Sequence, residues 1–376
     1  MNFTFSDEQD ELRRTIRKFL EDRSPSAEVR RLMETDEGFD EAVWKQLSQD
    51  LALPGIHVPE GYGGQGFTHV ELGIVLEEMG RVLLCAPFLS SACLATTAIL
   101  EAGTEEQKAE LLPAIAAGET RAGFAYAEPN GRWSADGVEA IATPDGDGYR
   151  LDGEKSYVID GHTAHQLIVA ARLPGTSGTD GLGLFVIDGD AEGVVRTRLN
   201  TIDRTRKQAK VTLSAVPATP LGEAGAAWPA IERTLDHAAV FLAAEATGSA
   251  QTCLDTAVQY AKDRVQFGRP IGSFQAVKHA CADMLLQVES SKTAVYYGMW
   301  AAAEDPEELR LAAPMAKAYC TEAAFAVARG NIQVHGGIGF TWEHDAHLYF
   351  RRAKTSELLF GDPTYQRSLL ADRLGI

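Results

Sequence analysis

Two segments of the sequence carry residue types that suit a nucleotide ligand. Residues 264–275 combine two arginines, two glutamines and two aromatic residues around a Gly-Pro turn, and residues 333–340 combine a glutamine with paired glycines. A guanidinium or exposed N–H groups can hold a phosphate, and glycine lets the main chain come close to it. The candidate binding residues are Arg264, Gln266, Phe267, Gln275, Gln333, Gly336 and Gly337. The pattern predicts a site for a pyrophosphate and an adenine, although a polar helix-turn-helix with a glycine corner would have the same residues.

A third glycine-rich stretch, residues 61–66, satisfies the spacing G-x-G-x-x-G of dinucleotide-binding proteins. That spacing is meaningful only between a strand and a helix of a βαβ unit. Here a short loop-like stretch precedes the glycines and the flanking patterns are helical. We therefore interpret residues 61–66 as a surface turn.

The composition excludes several classes of protein. The chain has 376 residues, with 35 Lys plus Arg against 53 Asp plus Glu, for a net charge of −18. Such a surface should repel nucleic acid and anionic lipid. No apolar run is long enough to span a membrane, and residues 1–20 contain four carboxylates, so we expect neither a membrane anchor nor a signal peptide. These features predict a cytoplasmic protein.

The cysteines and histidines do not predict a metal site. The five cysteines are scattered without a CxxC pair, which favours buried thiols in a reducing compartment. His335 and His344 have no cysteine or carboxylate set at ligand spacing. We therefore expect no bound metal.

The chain falls into three successive blocks and predicts an α+β protein. Residues 1–120 have helical periodicity, with Ser6 as a first N-cap and Gly103 ending one of the helices. Residues 121–222 contain short β-like runs, among them 138–142 and 184–187, separated by Asp-Gly turns. They predict an antiparallel barrel or sandwich. Residues 223–376 return to long helices.

The whole chain resembles the acyl-CoA dehydrogenase family. The matching runs are residues 5–9, 59–64, 103–108, 125–129, 153–155, 264–268 and 333–340. The resemblance implies an N-terminal helical domain, a middle β domain and a C-terminal four-helix bundle, with domain boundaries at 1–120, 121–222 and 223–376.

The resemblance also implies the cofactor FAD and an acyl-CoA substrate. In this family the middle domain holds the flavin ring of its own subunit, here through the matching residues Tyr126, Ala127 and Tyr157. The Arg-x-Gln-Phe-Gly and Gln-x-x-Gly-Gly elements reach across a dimer to the ADP end of the neighbour's FAD. A glutamate removes the α proton of the thioester, a hydride passes from the β carbon to flavin N5, and an electron-transfer flavoprotein takes the electrons. A dimer of dimers is the implied assembly.

The sequence departs from the family pattern at both usual positions of the catalytic base. The Tyr-Glu-Gly-Thr run of the family corresponds to residues 360–364, where Gly361 stands in place of the glutamate. An alternative Glu-Arg pair used by some relatives falls on Ala238 and Ala239. Asp362 is the nearest carboxylate to the first position, and we expect it to be a loop or cap residue.

The motifs around the flavin ring are also altered. Ala127 replaces a threonine, Trp133 replaces a serine and Ile159 replaces a hydroxyl-bearing residue expected near flavin N5. The segments for the ADP half of FAD are intact. This asymmetry predicts a subunit of an α2β2 heterotetramer that lacks the base and completes the FAD site of another chain.

Two alternatives remain open. The first is a homotetrameric enzyme that uses Glu245, which lies seven residues beyond Ala238, or roughly 10 Å along a helix, as a displaced base for a bulky fatty or steroid side-chain acyl group. Glu245 would otherwise be a structural residue bonded to Ser249 or to a Lys or Arg of another helix. The second alternative is a structural partner subunit that binds no flavin.

Overall fold

A computed structural model describes residues 5–376 of the chain. The described residues form two compact units. One consists of the described part of Met1–Arg31 together with His69–Leu84 and Ala239–Ile376. The other consists of Leu32–Thr68 and Cys85–Ala238.

The N-terminal third is helical, as the sequence predicts. Its helices are α1 (Asp7–Arg23), α2 (Ser26–Leu32), α3 (Glu41–Lys45), α4 (His69–Arg81), α5 (Thr96–Ala102) and α6 (Glu105–Ala116), with π-helical segments at Gln46–Asp50 and Phe88–Ala95. Ser6 caps α1 through a reciprocal pair of bonds with Gln9, and Gly103 is the C-cap of α5. Both predicted caps are confirmed. Residues 61–66 begin within a short 3-10 turn, Glu60–Tyr62, and no strand precedes them, so they lack the context of a dinucleotide fingerprint, as expected.

The middle of the chain closes into a β-barrel. Its strands are β1 (Ala122–Ala125), β2 (Ile141–Asp145), β3 (Gly148–Ile159), β4 (Gln166–Arg172), β5 (Leu182–Asp188), β6 (Val194–Arg198) and β7 (Gln208–Leu221). The barrel closes because β4 pairs with both β2 and β5. Most pairs are antiparallel, as predicted, but β1 runs parallel to β4 and the single contact between β2 and β4 is also parallel.

One predicted strand is wrong at its start. The apolar run 138–142 suggested a strand from residue 138, whereas β2 begins at Ile141. The N–H groups of Glu139 and Ala140 donate to the carboxylate of Glu128, at 2.9 and 3.0 Å. Because a side chain satisfies these donors, the backbone does not need a strand partner there.

The last part of the chain is a helical bundle with a small hairpin inserted. It contains α7 (Trp228–Asp263), the hairpin β8–β9 (Val265–Gln266 and Arg269–Pro270), α8 (Gln275–Glu304), α9 (Pro306–His335), α10 (Ala346–Leu358) and α11 (Pro363–Leu374). No helix within residues 5–376 is both long and apolar enough to cross a membrane.

Helices α4 and α7 cross with their backbones in direct contact. A Cβ atom on Gly80 would lie 2.0 Å from the carbonyl oxygen of Glu245, and one on Gly248 would lie 1.8 Å from that of Glu77. The Ser249 hydroxyl donates to the Gly80 carbonyl at 2.9 Å. Only glycine permits such an approach, so these two positions fix the crossing.

Buried carboxylates on α4 hold α1 against the same helix. Arg13 of α1 lies 3.0 Å from both Glu77 and Glu78, and Arg17 lies 2.7 Å from Glu78. Both carboxylates are buried. A buried charge is tolerated when a partner of opposite charge is bonded to it, so this network ties α1 to α4.

Replacing Gly248 with alanine tests the close crossing. Alanine in a helix interior normally stabilises by about 1 kcal/mol relative to glycine. Here the added methyl group would overlap the Glu77 carbonyl, and we expect a net loss of about 1–3 kcal/mol in the free energy of unfolding. Calorimetry would measure the loss, with Gly61→Ala as the control because a Cβ at Gly61 meets nothing within 4 Å. A Gly248→Ala protein as stable as the natural one would contradict the crossing.

Candidate functional site

An aromatic stack brings the two predicted nucleotide-binding segments together. The ring of Tyr260, in the last turn of α7, lies 4.3 Å from the ring of His335 at the end of α9. Arg264 follows Tyr260 by one helical turn, and its N–H donates to the Tyr260 carbonyl. Gly336 directly follows His335. The stack therefore places the start of the first segment next to the glycine pair of the second.

The first segment folds as a tight hairpin after α7. The Ile271 N–H donates to the Arg264 carbonyl at 2.8 Å and closes the loop. Phe267 occupies the turn with φ +54° and is 92% exposed. A bulky residue in the left-handed region costs about 1–3 kcal/mol, and such residues collect at ligand-binding sites. The hairpin thus presents an aromatic ring to the outside of this chain.

Three polar side chains of the predicted site are available for a ligand. The side chains of Arg264, Gln275 and Gln333 are exposed and make no hydrogen bond or ion pair with any residue in the range 5–376. The Gln266 amide donates only to the carbonyl of the preceding residue, at 2.8 Å. These four residues therefore offer one cation and three amide groups to a ligand.

The glycine pair leaves the backbone open. Gly336 has φ +65° and ψ −139°, a conformation essentially restricted to glycine, and a Cβ on either Gly336 or Gly337 would meet nothing within 4 Å. Phe340, four residues on, is 82% exposed. Open backbone, a guanidinium, amides and exposed aromatic rings fit the pyrophosphate and adenine of FAD.

The residues predicted to face the flavin ring lie in the unit that contains the β-barrel, Leu32–Thr68 and Cys85–Ala238. One of them, Tyr126, already makes a side-chain hydrogen bond within the protein. The Tyr126 hydroxyl donates to the carbonyl of Trp133 at 3.0 Å, and the two rings stack with centroids 6.3 Å apart. Both residues make further contacts within the protein. Trp133, at the position of the family's serine, therefore packs on Tyr126 and offers no hydroxyl to a ligand.

A buried ion pair fixes the backbone around Tyr126 and Ala127. The Lys155 ammonium, fully buried, donates to the Glu128 carboxylate at 2.6 Å and to the Tyr126 carbonyl at 3.2 Å. Burial lowers the pKa of Lys155, and the Glu128 charge opposes that shift. The Ser156 N–H donates to the Ala127 carbonyl. The loop after β1 is therefore held rigidly against β3.

The remaining ring-side residues offer few polar groups. Ala127 and Ile159 are buried and carry no side-chain hydrogen-bonding group. Tyr157 is 51% exposed, with φ +56°. Asp160 also has positive φ, and its carboxylate accepts a hydrogen bond from Ser90 at 2.7 Å. Of the residues predicted to face the flavin ring, Tyr157 is the one whose side chain remains accessible.

Backbone strain coincides with the predicted functional segments. Seven non-glycine residues within 5–376 have positive φ: Ala52, Leu83, Tyr157, Asp160, Ala215, Phe267 and Phe360. Phe267 lies in the first predicted nucleotide-binding segment, and Phe360 lies in the turn after α10. Tyr157 and Asp160 lie in β3 and in the turn that follows it. The sequence marks each of these places as functional. Strain of this kind persists only where the surrounding structure enforces it.

Glu245 lies in a buried ion pair. Its carboxylate is 2.9 Å from the guanidinium of Arg352 on α10, and both side chains are buried. The Ser249 hydroxyl donates to the Glu245 backbone carbonyl, not to its side chain. Arg352 is thus the kind of partner that we expected for Glu245 if it were a structural residue. The role of Glu245 as a displaced base stays a prediction.

The turn that follows α10 has no carboxylate available for catalysis. Phe360 is apolar and buried, and Gly361 has no side chain. Asp362 is the N-cap of α11, where its carboxylate accepts the Tyr365 N–H at 2.8 Å. The expectation that Asp362 is a cap residue is confirmed. Within residues 5–376 no group of three or more His, Cys, Asp or Glu residues is arranged to hold a metal ion.

Two residues that shape the site were missed in the sequence analysis. Tyr260 positions Arg264 through the stack with His335, and its spacing of one helical turn before Arg264 was the available signal. Lys317 reaches the turn after α10 from α9, and a lysine within an otherwise apolar helical stretch was its signal. Neither contact could be inferred without the packing of the helices.

Three family models cover nearly the whole chain. The N-terminal, middle and C-terminal domains of acyl-CoA dehydrogenases match residues 6–119, 123–216 and 225–375. This chain belongs to the acyl-CoA dehydrogenase family, and its reaction class is that of these oxidoreductases.

Individual relatives agree with the family models. The acyl-CoA dehydrogenase IpdE2 of Mycolicibacterium smegmatis is 33% identical over 361 residues, which cover 96% of this chain and 97% of that protein. A solved variant of the Tcur3481-Tcur3483 steroid ACAD is 33% identical, with a TM-score of 0.87 and 98% of both chains covered. The ChsE4-ChsE5 complex from Mycobacterium tuberculosis is 26% identical, with a TM-score of 0.90, and covers 100% of this chain and 99% of that chain.

Replacing Glu245 with alanine distinguishes its two roles. If the carboxylate neutralises Arg352, its removal should cost about 3–5 kcal/mol of unfolding free energy, because a buried charge loses its counter-charge. Urea unfolding would measure this loss. Glu289→Ala, which breaks a partly exposed pair with Lys292, is the control and should cost less than about 1 kcal/mol. A stable Glu245→Ala protein that has lost turnover would instead support the displaced base.

Proposed function

We propose that this chain is one subunit of a heteromeric, FAD-dependent acyl-CoA dehydrogenase, in which it supplies the ADP-binding half of a shared FAD site. The substrate class is an acyl-CoA thioester with a fatty or steroid side-chain acyl group. The reaction is α,β-desaturation, with electrons passed to an electron-transfer flavoprotein. The partner is a second acyl-CoA dehydrogenase subunit in a dimer of dimers.

The contrast between the two halves of the FAD site carries this proposal. The side chains of Arg264, Gln275 and Gln333 make no hydrogen bond or ion pair within residues 5–376, and the backbone at Gly336 and Gly337 is open. On the barrel, by contrast, Ala127 and Ile159 are buried and apolar. A chain with this asymmetry can complete a neighbour's FAD site while holding a ring of its own poorly.

The absence of an available base supports a partner that is not identical. Desaturation needs a base at the α carbon of the thioester. The turn Phe360–Asp362 offers no free carboxylate, position 238 is alanine, and Glu245 is paired with Arg352. We therefore assign the base to the partner chain.

The names of similar solved structures point the same way. The Tcur3481-Tcur3483 steroid ACAD and the ChsE4-ChsE5 complex each join two different proteins. This supports a heteromer for the present chain, and the first of them supports a steroid-type acyl group. Bound FAD supplies the acceptor for the two electrons of the oxidation.

The residues of this chain then have distinct tasks. Arg264 neutralises pyrophosphate charge, while Gln275 and Gln333 donate to or accept from the adenine and ribose. Gly336 and Gly337 allow N–H groups to reach the phosphate oxygens. Phe267 and Phe340 cover the ligand and exclude water from it.

Replacing Arg264 with alanine tests the assignment. The variant and the natural chain would each be co-expressed with a candidate partner subunit of the same family, and FAD affinity of the purified complex would be measured by flavin fluorescence. Loss of a charge-assisted bond worth about 1.5–3 kcal/mol should weaken FAD binding by roughly 10–100-fold without changing the folding of the chain.

Arg310→Ala is the matched control. Arg310 is also exposed, but it lies near the start of α9, whereas the predicted binding residues Gln333, Gly336 and Gly337 lie at or just beyond the end of that helix. It should leave FAD affinity unchanged. A complex that binds FAD equally well with Arg264→Ala would refute the assignment of the ADP half to this chain. An active, flavin-loaded preparation of the chain alone would refute the heteromer.

A further inference from the structure

The turn between α10 and α11 has an unusual backbone. Phe360 and Gly361 have φ +57° and +95°, so two consecutive residues lie in the left-handed region. A Cβ on Gly361 would also lie 2.2 Å from the ring of Tyr365, which closes that position to any side chain. A turn of this shape requires contacts that enforce it.

The main contact comes from a lysine inside α9. The Lys317 amino group is fully buried and donates to the carbonyl oxygens of Glu357, at 3.1 Å, and Gly361, at 3.2 Å. Burial lowers the pKa of Lys317 to about 7. A buried amino group is unfavourable unless its bonds are made, so its retention points to a specific role for these two bonds.

The same turn is held from its other end. The Gln366 amide donates to the Phe360 carbonyl at 2.6 Å, and the Asp362 carboxylate caps α11. The carbonyls of Phe360 and Gly361 are therefore both bonded to buried side chains. Neither of these bonds belongs to a helix ladder, and both act on the turn itself.

We infer that Lys317 is a positioning residue, which fixes the turn Phe360–Asp362 by joining the Gly361 carbonyl to the C-terminal end of α10. This inference rests on the proposed function, because the matching turn in the resembled family carries the catalytic glutamate. In this chain the turn keeps a fixed shape without the carboxylate. Under the proposed function this turn lies beside the acyl group, where it supplies no base.

A lysine suits this task because of its reach and its three donors. Glu357 lies in the last turn of α10, where carbonyls lack helical partners, and Gly361 lies beyond the helix. One amino group can bond both only if the chain between them takes a tight path. The left-handed residues provide that path.

Lys317→Met tests the inference in the full-length chain. Methionine nearly conserves the shape but removes both donors. Amide hydrogen exchange, followed by mass spectrometry, should be about tenfold faster over residues 359–363 and unchanged in the rest of α9 and α11. The melting temperature should change little, because the unfavourable burial of an amino group is also removed. This readout needs neither flavin nor substrate, so it is independent of the proposed function.

Thr321→Val is the matched control. Thr321 is buried on α9 one turn after Lys317, and its hydroxyl donates to the Lys317 carbonyl without touching the turn. It should leave exchange over 359–363 unchanged. Lys317→Gln, whose shorter amide can reach one carbonyl, should give an intermediate rate and carries the test if the methionine variant does not fold.

Two results would overturn the inference. Natural protection of residues 359–363 in the Lys317 variants would mean that Lys317 does not hold the turn. Faster exchange spread equally over α9, α10 and α11 would mean a general structural role.

In the flavin-loaded complex, Lys317→Met should raise KM for the acyl-CoA about tenfold with flavin content unchanged. A fall in flavin content instead would assign Lys317 to the cofactor site.

Discussion

The backbone contact between α4 and α7 is the constraint on which one of the two compact units depends, the one that contains residues 5–31, 69–84 and 239–376. Gly80 and Gly248 let the two helices touch, and this contact fixes how α7 packs on α4. On the same helix Glu245 pairs with Arg352, and Tyr260 stacks on His335. Arg264 and its hairpin follow one turn beyond Tyr260, so the path of α7 also sets where the first predicted nucleotide-binding segment begins.

The unit that contains the β-barrel depends on a different interaction, a buried ion pair. The buried Lys155–Glu128 pair fixes the loop after β1, and Glu128 also takes the N–H groups that would otherwise begin β2. The loop is rigid, yet what it presents is largely apolar. Rigidity is usually a preparation for binding. Here it is combined with Ala127, a packed Trp133 and a buried Ile159, which is the observation behind our proposal that this chain holds a flavin ring poorly.

The sequence predicted the block order and the helix caps, because these depend on local patterns. The nucleotide-binding residues were inferred from local patterns as well and stay a prediction. It missed β7, a strand of 14 residues, because Pro217 and Pro220 interrupt its β pattern and its partners β3 and β5 are distant in sequence. It suggested two kinds of partner for Glu245 but could not choose between them, since the choice depends on how α10 packs. Lys317 was invisible for a similar reason: a lysine in a helix is normally exposed, and only the packed structure shows that it is fully buried.

The number of FAD molecules per chain tests the central claim most directly. The claim is that this chain completes the FAD site of a different subunit and holds no ring by itself. In a complex purified with its partner, flavin absorbance and quantitative amino-acid analysis should give one FAD for each pair of unlike chains, and this chain purified alone should be colourless. One FAD on every copy of this chain in the absence of any partner would contradict the account.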